Sequence, residues 1–415
     1  MKKEAEPVQV PKLRFPQFRG AEGWSEEALS DIATIVMGSS PKSEYYNHSE
    51  IGLPLLQGNA DIKNRLSAPR IFTSEITKAC TIGDILLSVR APVGSVAKSI
   101  HHACIGRGIA AVRADQPNVQ EFVYQWLLSY ESQWADISQG GTFDAVNSDD
   151  LKGVALSVPR PPEQQKIAEC LSSVDELIAA QARKVGAFKT HKKGLMQQLF
   201  PREGETQPRL RFPEFQKERE WAEVPLGEIA EIKLGKMLDK QKHTSGHLLP
   251  YLNNLAVHWN EVNTSDLPRM YFNDRELDRF GLRAGDVVVC EGGEPGRAAV
   301  WDGRLPDLKF QKAIHRVRFN VPFEPKILVL HLENLAGTTE FEMLFTGGGI
   351  KHLTGETFAR LKIPLIPYAE QHRIASCLSS LDAMITAETQ KLETIKRHKR
   401  GLMQQLFPTS AEVEA

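Results

Sequence analysis

Charge of one sign, paired cysteines and long apolar runs are all missing from this chain, and each absence narrows what it does. Lys and Arg number 51 and Asp and Glu 52, which leaves a formal net charge of -1 over 415 residues. Phosphate neutralisation supplies most sequence-independent affinity for nucleic acids, so the whole chain is not a basic nucleic-acid binder, which counts mildly against DNA binding by the isolated protein and leaves open a complex in which a partner contributes much of the positive surface. Five cysteines, Cys80, Cys104, Cys170, Cys290 and Cys377, form no Cys-x-x-Cys pair and read as small buried residues. No apolar stretch approaches the roughly 18 residues of a membrane span. Met1-Lys-Lys-Glu-Ala-Glu-Pro has no apolar stretch behind its lysines, unlike a secretory signal, so a cytoplasmic location without membrane contact is expected.

The motifs of catalysis are missing too. There is no GxxxxGK[ST] phosphate loop and no GxGxxG between a strand and a helix. The Asn/Asp-Pro-Pro-aromatic segment of an adenine N6-methyltransferase is also absent. A nuclease holding Mg²⁺ needs acidic residues and a lysine on adjacent strand positions. Asp286 with Glu291 and Glu294 comes nearest, without a lysine beside it. His101-His102 has no second His/Cys pair at metal spacing and reads as a solvated loop. No catalytic residue, no metal site and no cofactor are expected in this chain.

What is present is a duplication. Glu163-Gln-Gln-Lys-Ile-Ala-Glu-Cys-Leu-Ser-Ser-Val-Asp175 returns, 207 positions later, as Glu370-Gln-His-Arg-Ile-Ala-Ser-Cys-Leu-Ser-Ser-Leu-Asp382, with nine of thirteen positions identical. Gly194-Leu-Met-Gln-Gln-Leu-Phe-Pro201 recurs unchanged as Gly401 to Pro408. Pro11-Lys-Leu-Arg-Phe-Pro-Gln-Phe18 comes back as Pro208-Arg-Leu-Arg-Phe-Pro-Glu-Phe215. A period of about 200 residues is too long for a solenoid unit and marks a duplicated domain. Near-identical ends around dissimilar middles point to one frame carrying two different recognition surfaces.

Two proline-free windows, 163–200 and 368–407, carry the frame. In the first, Ile167, Leu171, Val174, Ile178, Gln181, Val185, Phe188, Lys192, Leu195 and Leu199 step alternately by 4 and 3. Ile374, Leu378, Leu381, Ile385, Glu388, Leu392, Ile395, Lys399, Leu402 and Leu406 repeat the rhythm. A strict 3-4 alternation is a coiled-coil seam, here on helices roughly 55–60 Å long. The helices are expected to pair antiparallel through Ile167, Leu171, Val174, Ile178, Leu378, Leu381, Ile385 and Leu392, giving a pseudo-two-fold arrangement; separate packing of each helix on its own domain is the alternative. Gln181 and Lys192 match Glu388 and Lys399 as polar seam positions, and Glu388 is a candidate opposite charge for Lys192.

The segments between read as mixed α/β. Strand-like runs at 84–89, 108–113 and 154–158 have counterparts at 286–290, 313–318 and 361–365, and Gly-Asp precedes the first of each set. The expected organisation is an arm (1–22), an α/β domain (23–161), a helix (162–200), a linker (201–220), a second α/β domain (221–367), a second helix (368–407) and a tail (408–415).

Polar, glycine-rich loops recur at matching places in the two domains. Gln and Asn suit adenine, Arg and Lys suit guanine, and glycines permit close backbone approach. The candidates in the first copy are Ser39, Ser40, Lys42, Gln57, Asn59, Arg90, Arg107 and Thr142. In the second they are Lys236, Asn253, Asn254, Arg297, Lys312, Lys351 and His352. Each loop taken singly also fits an ordinary solvated turn. Basic runs at Lys189–Lys193 and Lys396–Arg400 suit either a helix C-terminus or contact with phosphates or an acidic partner.

Two variable segments, each followed by a long helix with an Ile/Leu-Pro…Glu-Gln…Ile-Ala start, resemble the specificity subunit of type I restriction–modification enzymes. The matching stretches are Val158-Pro159 to Ile167-Ala168 and Ile366-Pro367 to Ile374-Ala375, with the Gly-Leu-Met-Gln-Gln-Leu-Phe-Pro helix ends. The resemblance implies two duplicated α/β target recognition domains joined by two long antiparallel coiled-coil helices, each domain reading one half of a bipartite, asymmetric site in double-stranded DNA. It implies a non-catalytic chain whose helices act as a spacer. Two methylation subunits using S-adenosylmethionine, and a restriction and translocation subunit using ATP and Mg²⁺, would supply the chemistry. A stand-alone two-headed DNA-binding regulator and a protein-interaction scaffold are the other readings of the same repeat.

Overall fold

The computed structural model describes residues 10–134, 145–202, 205–238, 245–347 and 351–408. Two compact units divide the chain: Met1–Arg183 with Thr389–Ala415, and Lys184–Glu388. Each holds one α/β copy and the beginning of the long helix that follows it. Each is completed by the last turns of the other copy's helix.

In the first unit, strand Ile85–Ser88 is buried along its whole length, as its apolar run requires. Ile85 and Leu87 join a core with Phe122, Trp126 and Leu127, while Leu86 joins Leu56, Ala103 and Ile105 on the opposite face. This strand lies within a six-stranded sheet ordered Ala33–Met37, Ile109–Ala114, Ile85–Ser88, Val96–Lys98, Leu66–Ser67, Ile62–Lys63. A second sheet is ordered Tyr46–Asn47, Ile71–Thr73, Leu53–Leu56, Ala103–Ile105, Ala79–Cys80.

The second unit repeats the plan with fewer strands among the described residues. Val287–Cys290 sits between Ile314–Phe319 and Ala298–Val300, and Ala230–Leu234 flanks Ile314–Phe319. Val287 and Val289 face one core; Val288 and Cys290 face another, formed with Tyr251, Phe272 and Phe310. The strand-like runs read from the sequence are strands here, and the helices Gln120–Ser129 and Pro325–Leu335 occupy matching places in the two units.

The repeated Gly-Asp has a mechanical explanation. Asp84 accepts from the Thr81 amide at 2.7 Å and takes Arg113 in a two-pronged bond at 2.7 and 2.8 Å. Asp286 does the same with the Arg283 amide and Arg318, all at 2.7 Å. A tight turn is thereby fastened to the neighbouring strand. These bonds engage Asp286 in the fold.

The Pro-x-Leu-Arg-Phe-Pro-x-Phe repeat straps each unit. Arg14 grips buried Glu163 at 2.8 and 2.7 Å, and the Leu13 amide donates to Gln405 O. Arg211 grips Glu370 at 2.9 and 2.6 Å, and the Leu210 amide donates to Gln198 O. Residues 208–215, expected as linker, are therefore docked, as is the matching part of the arm. Gln164 and Gln371, next in the repeat, accept the Val119 and Glu324 amides just ahead of the domain helices. The Glu-Gln pair at each long helix thus holds a strap with one residue and its own α/β domain with the other.

The long helices run Pro161–Leu199 and Tyr368–Leu406. Every position of the 3-4 rhythm, from Ile167 to Leu199 and from Ile374 to Leu406, is buried or half-buried. In the first unit, Lys399 Nζ donates to both Asp175 oxygens at 2.7 and 2.8 Å. In the second, Lys192 meets Asp382 at 2.7 Å and Glu333 at 3.1 Å, and Lys184 meets Glu388. The pairs 184/388 and 192/382 step in opposite directions, the expected antiparallel order. Their partners correct one expectation: Glu388 answers Lys184, and Lys192 is answered by Asp382, which lies beside the seam.

Candidate nucleic-acid interface

Within each unit, backbone bonds between them bring together the described polar loops singled out in the sequence. In the first unit, Gly38 follows strand Ala33–Met37 and its amide donates to Ile109 O at 2.9 Å. A Cβ there would lie 2.1 Å from Gly106 O, so only glycine lets the two loops touch. The Gly106 amide donates to Leu56 O at 2.8 Å, which brings in the Gln57 loop, and the Arg107 amide donates to Ser40 Oγ at 3.1 Å. Arg90 pairs through its backbone with Ala145. Thr142 lies outside the described residues.

The second unit gathers the same loops by the same bonds. A Cβ on Gly235 would lie 2.3 Å from Gln311 O, and the Gln311 amide donates to Leu252 O at 3.0 Å. Asn254 Nδ2 reaches Gly292 O at 3.4 Å, and Gly292 pairs through its backbone with His352. Gly94 and Gly296 hold φ near +90°, where a Cβ would strike the rings of Trp134 and Phe341 respectively.

Of the candidate contact residues, Ser39, Lys42, Arg90 and Arg107 in the first unit and Lys312, Lys351 and His352 in the second are exposed. Ser40, Asn59 and Asn253 are half-buried. Gln57 Nε2 donates to Tyr46 Oη at 3.0 Å, and Asn253 Oδ1 accepts from the Ala256 amide at 3.1 Å. Lys351 meets Glu342 at 3.0 Å.

Two expected base readers are engaged inside the fold. Lys236 Nζ donates to Tyr271 O at 2.9 Å and to Glu276 at 2.6 Å. Burial works against the Glu276 charge, yet Lys236 and the Asn273 amide hold its carboxyl below the usual range. Arg297 donates to Asn254 O at 2.7 Å and meets Glu294 at 2.9 Å, largely out of solvent. Lys236 and Arg297 therefore brace loops. Sequence reasoning also passed over the 74–78 loop, which borders Gly38–Lys42: the Lys42 amide donates to Glu75, and Thr77 Oγ1 to Ser39 O. At that place the second unit has the helix Asp274–Arg279, whose Glu276 takes Lys236, so no internal match marked the loop.

Burial pushes the Cys80 and Cys290 thiols up, which keeps them protonated. A cavity of about 690 Å³ in the first unit is lined by Trp126, Leu156, Met403 and Phe407, among others, and among the described residues by none of the candidate contact residues.

Comparison with known proteins places these features in context. A family model described as "Type I restriction modification DNA specificity domain" matches residues 21–185 and again 218–397. A candidate type I restriction enzyme specificity subunit of Methanocaldococcus jannaschii, MjaX, is 36% identical over 166 residues, 40% of this chain and 39% of that protein. The MjaVIII specificity subunit of the same organism is 25% identical over 276 residues, 62% of this chain and 63% of that protein. The matches thus span between about two fifths and three fifths of these relatives' own lengths. The crystal structure of a type I restriction–modification S subunit from M. genitalium shares the fold at a TM-score of 0.60 and 16% identity, covering 97% of this chain and 100% of that one. A chain from a structure of a type I restriction–modification system aligns at a TM-score of 0.56 and 17% identity, covering 92% and 97%.

Proposed function

Because the chain belongs to the type I restriction–modification DNA specificity domain family, we propose that it is the specificity subunit of such a system, each unit reading one half of a bipartite, asymmetric DNA site. The observation that carries the reading is the loop edge built twice on one frame with unlike side chains: matching backbone bonds hold Ser39 and Lys236, and the Arg107 amide is held by Ser40 Oγ where the Lys312 amide is held by Lys236 O. Base-edge contacts from such loops give specificity, while phosphate contacts fix position.

The chain itself does no chemistry on this reading. Two methylation subunits supply S-adenosylmethionine chemistry, and a restriction and translocation subunit supplies ATP- and Mg²⁺-dependent cleavage. Two copies of one partner fit a repeated feature: Leu177 and Met384, at matching heights on the two helices, are exposed apolar side chains. No helix among the described residues is long and apolar enough to cross a membrane, and the proposed work on DNA belongs in the cytoplasm.

The test is to express the chain with its methylation subunits and map the modified positions by sequencing. A two-part motif is expected. Replacing residues 23–161 with the corresponding segment of a relative should change one half of the motif and leave the other intact. Changes in both halves, or in neither, would refute the modular reading.

A further inference from the structure

Two loops that share almost no sequence have the same backbone wiring, and each points one cation outward. In the first unit the Gly106 amide donates to Leu56 O at 2.8 Å, the Ile109 amide to Gly106 O at 3.0 Å, and the Val89 amide to Gly108 O at 3.0 Å. In the second, the Gln311 amide donates to Leu252 O at 3.0 Å, the Ile314 amide to Gln311 O at 3.1 Å, and the Glu291 amide to Ala313 O at 2.8 Å. The residue at the tip is Arg107 in one loop and Lys312 in the other. Their amides are held as well, by Ser40 Oγ at 3.1 Å and by Lys236 O at 2.7 Å.

Both side chains are exposed, and among the described residues no hydrogen bond or ion pair engages either cationic group. This sets them apart from Lys236 and Arg297, whose charged groups brace the fold. Arg90 is also exposed, but the matching bridge in the second unit is made by Gly292, so it has no cationic counterpart.

We propose that Arg107 and Lys312 are homologous specificity residues, each reading a guanine edge in its own half-site; this rests on the DNA reading above. A fixed backbone with a single mobile side chain loses little entropy on ordering, which suits base readout better than a free loop does. Guanine offers N7 and O6 side by side in the major groove. Arg matches both with its fork, and Lys with a point donor. A phosphate contact, by contrast, would add affinity without sequence preference.

The experiment uses the full chain assembled with its methylation subunits and a randomised duplex library, with methylated products sequenced. Arg107→Ala should relax one position of one half-site by roughly ten- to hundred-fold in base preference, leaving the other half unchanged. Lys312→Ala should relax one position of the other half. If either variant fails to assemble, Arg107→Gln and Lys312→Gln keep length and polarity and are read instead. An unchanged motif with evenly reduced methylation would assign the residue to phosphate and overturn the proposal, as would two variants that alter the same half. A wild-type complex without a two-part motif would overturn the DNA reading itself, and this assignment with it.

Discussion

Arg14 and Arg211 occupy matching places, yet the carboxylates they hold do not depend on them equally. Glu370 also accepts from Trp221 Nε1 at 3.0 Å, whereas the matching Trp24 Nε1 has no partner and Glu163 relies on Arg14. Removing one partner of a buried pair leaves an uncompensated charge. Arg14→Ala should therefore cost about 3 kcal/mol and Arg211→Ala about 2 kcal/mol or less, measured by denaturant unfolding. His331 offers a second test. Both its ring nitrogens are buried with no hydrogen bond of good geometry, and burial, opposed by the Lys362 backbone, holds its pKa down at about 4, against 6.5 for a free imidazole. Between those values the unfolded chain binds the proton and the folded one does not, so stability is full above pH 6.5 and falls as the pH drops toward 4. Wild type should lose about 3 kcal/mol more than His331→Leu between pH 7 and pH 4. Sequence marked Arg14 and Glu163 as repeated residues. It had no means of pairing them, because both recur in both copies and any match between them was equally consistent.

For the long helices, spacing alone revealed the seam, because a two-helix interface imposes its period on the residues that enter it. What the spacing left open was which charges meet. That depends on relative height, and Asp175 and Asp382 lie beside the seam rather than in it. Lys399 is nearly buried while Asp175 is partly exposed, so their coupling sits between surface and interior values. A double-mutant cycle on Asp175→Ala and Lys399→Ala should give about 1–2 kcal/mol, read from denaturant midpoints. A coupling near zero would mean that the apolar seam positions alone hold the helices. The recognition loops were legible as places but not as roles. Glycines and polar residues marked where the chain turns, whereas the engagement of Lys236 by Glu276 depends on a helix, Asp274–Arg279, far away in sequence.

At the scale of the whole molecule, the anion and the cation of each fastening sit on different copies of one repeat. Asp175 and Lys192 share the first helix, and Asp382 and Lys399 share the second; each lysine meets the other helix's aspartate. A fragment of residues 1–202 should accordingly pair with itself, Lys192 of one molecule meeting Asp175 of the other, as an isologous dimer. Light scattering on the purified fragment would show it. Asp175→Lys should yield monomer, and adding Lys192→Asp should restore the dimer.

That arrangement makes the joint indifferent to what it joins. A latch whose two parts lie on the same strip of chain cannot distinguish its usual mate from any other copy that keeps the strip, so a new reader can be substituted without a new junction having to arise. If m versions of the first reader and n of the second circulate among related chains, one unaltered hinge serves every combination. The repertoire then grows as the product m × n, while the surface that selection must keep intact remains a single pair of helices.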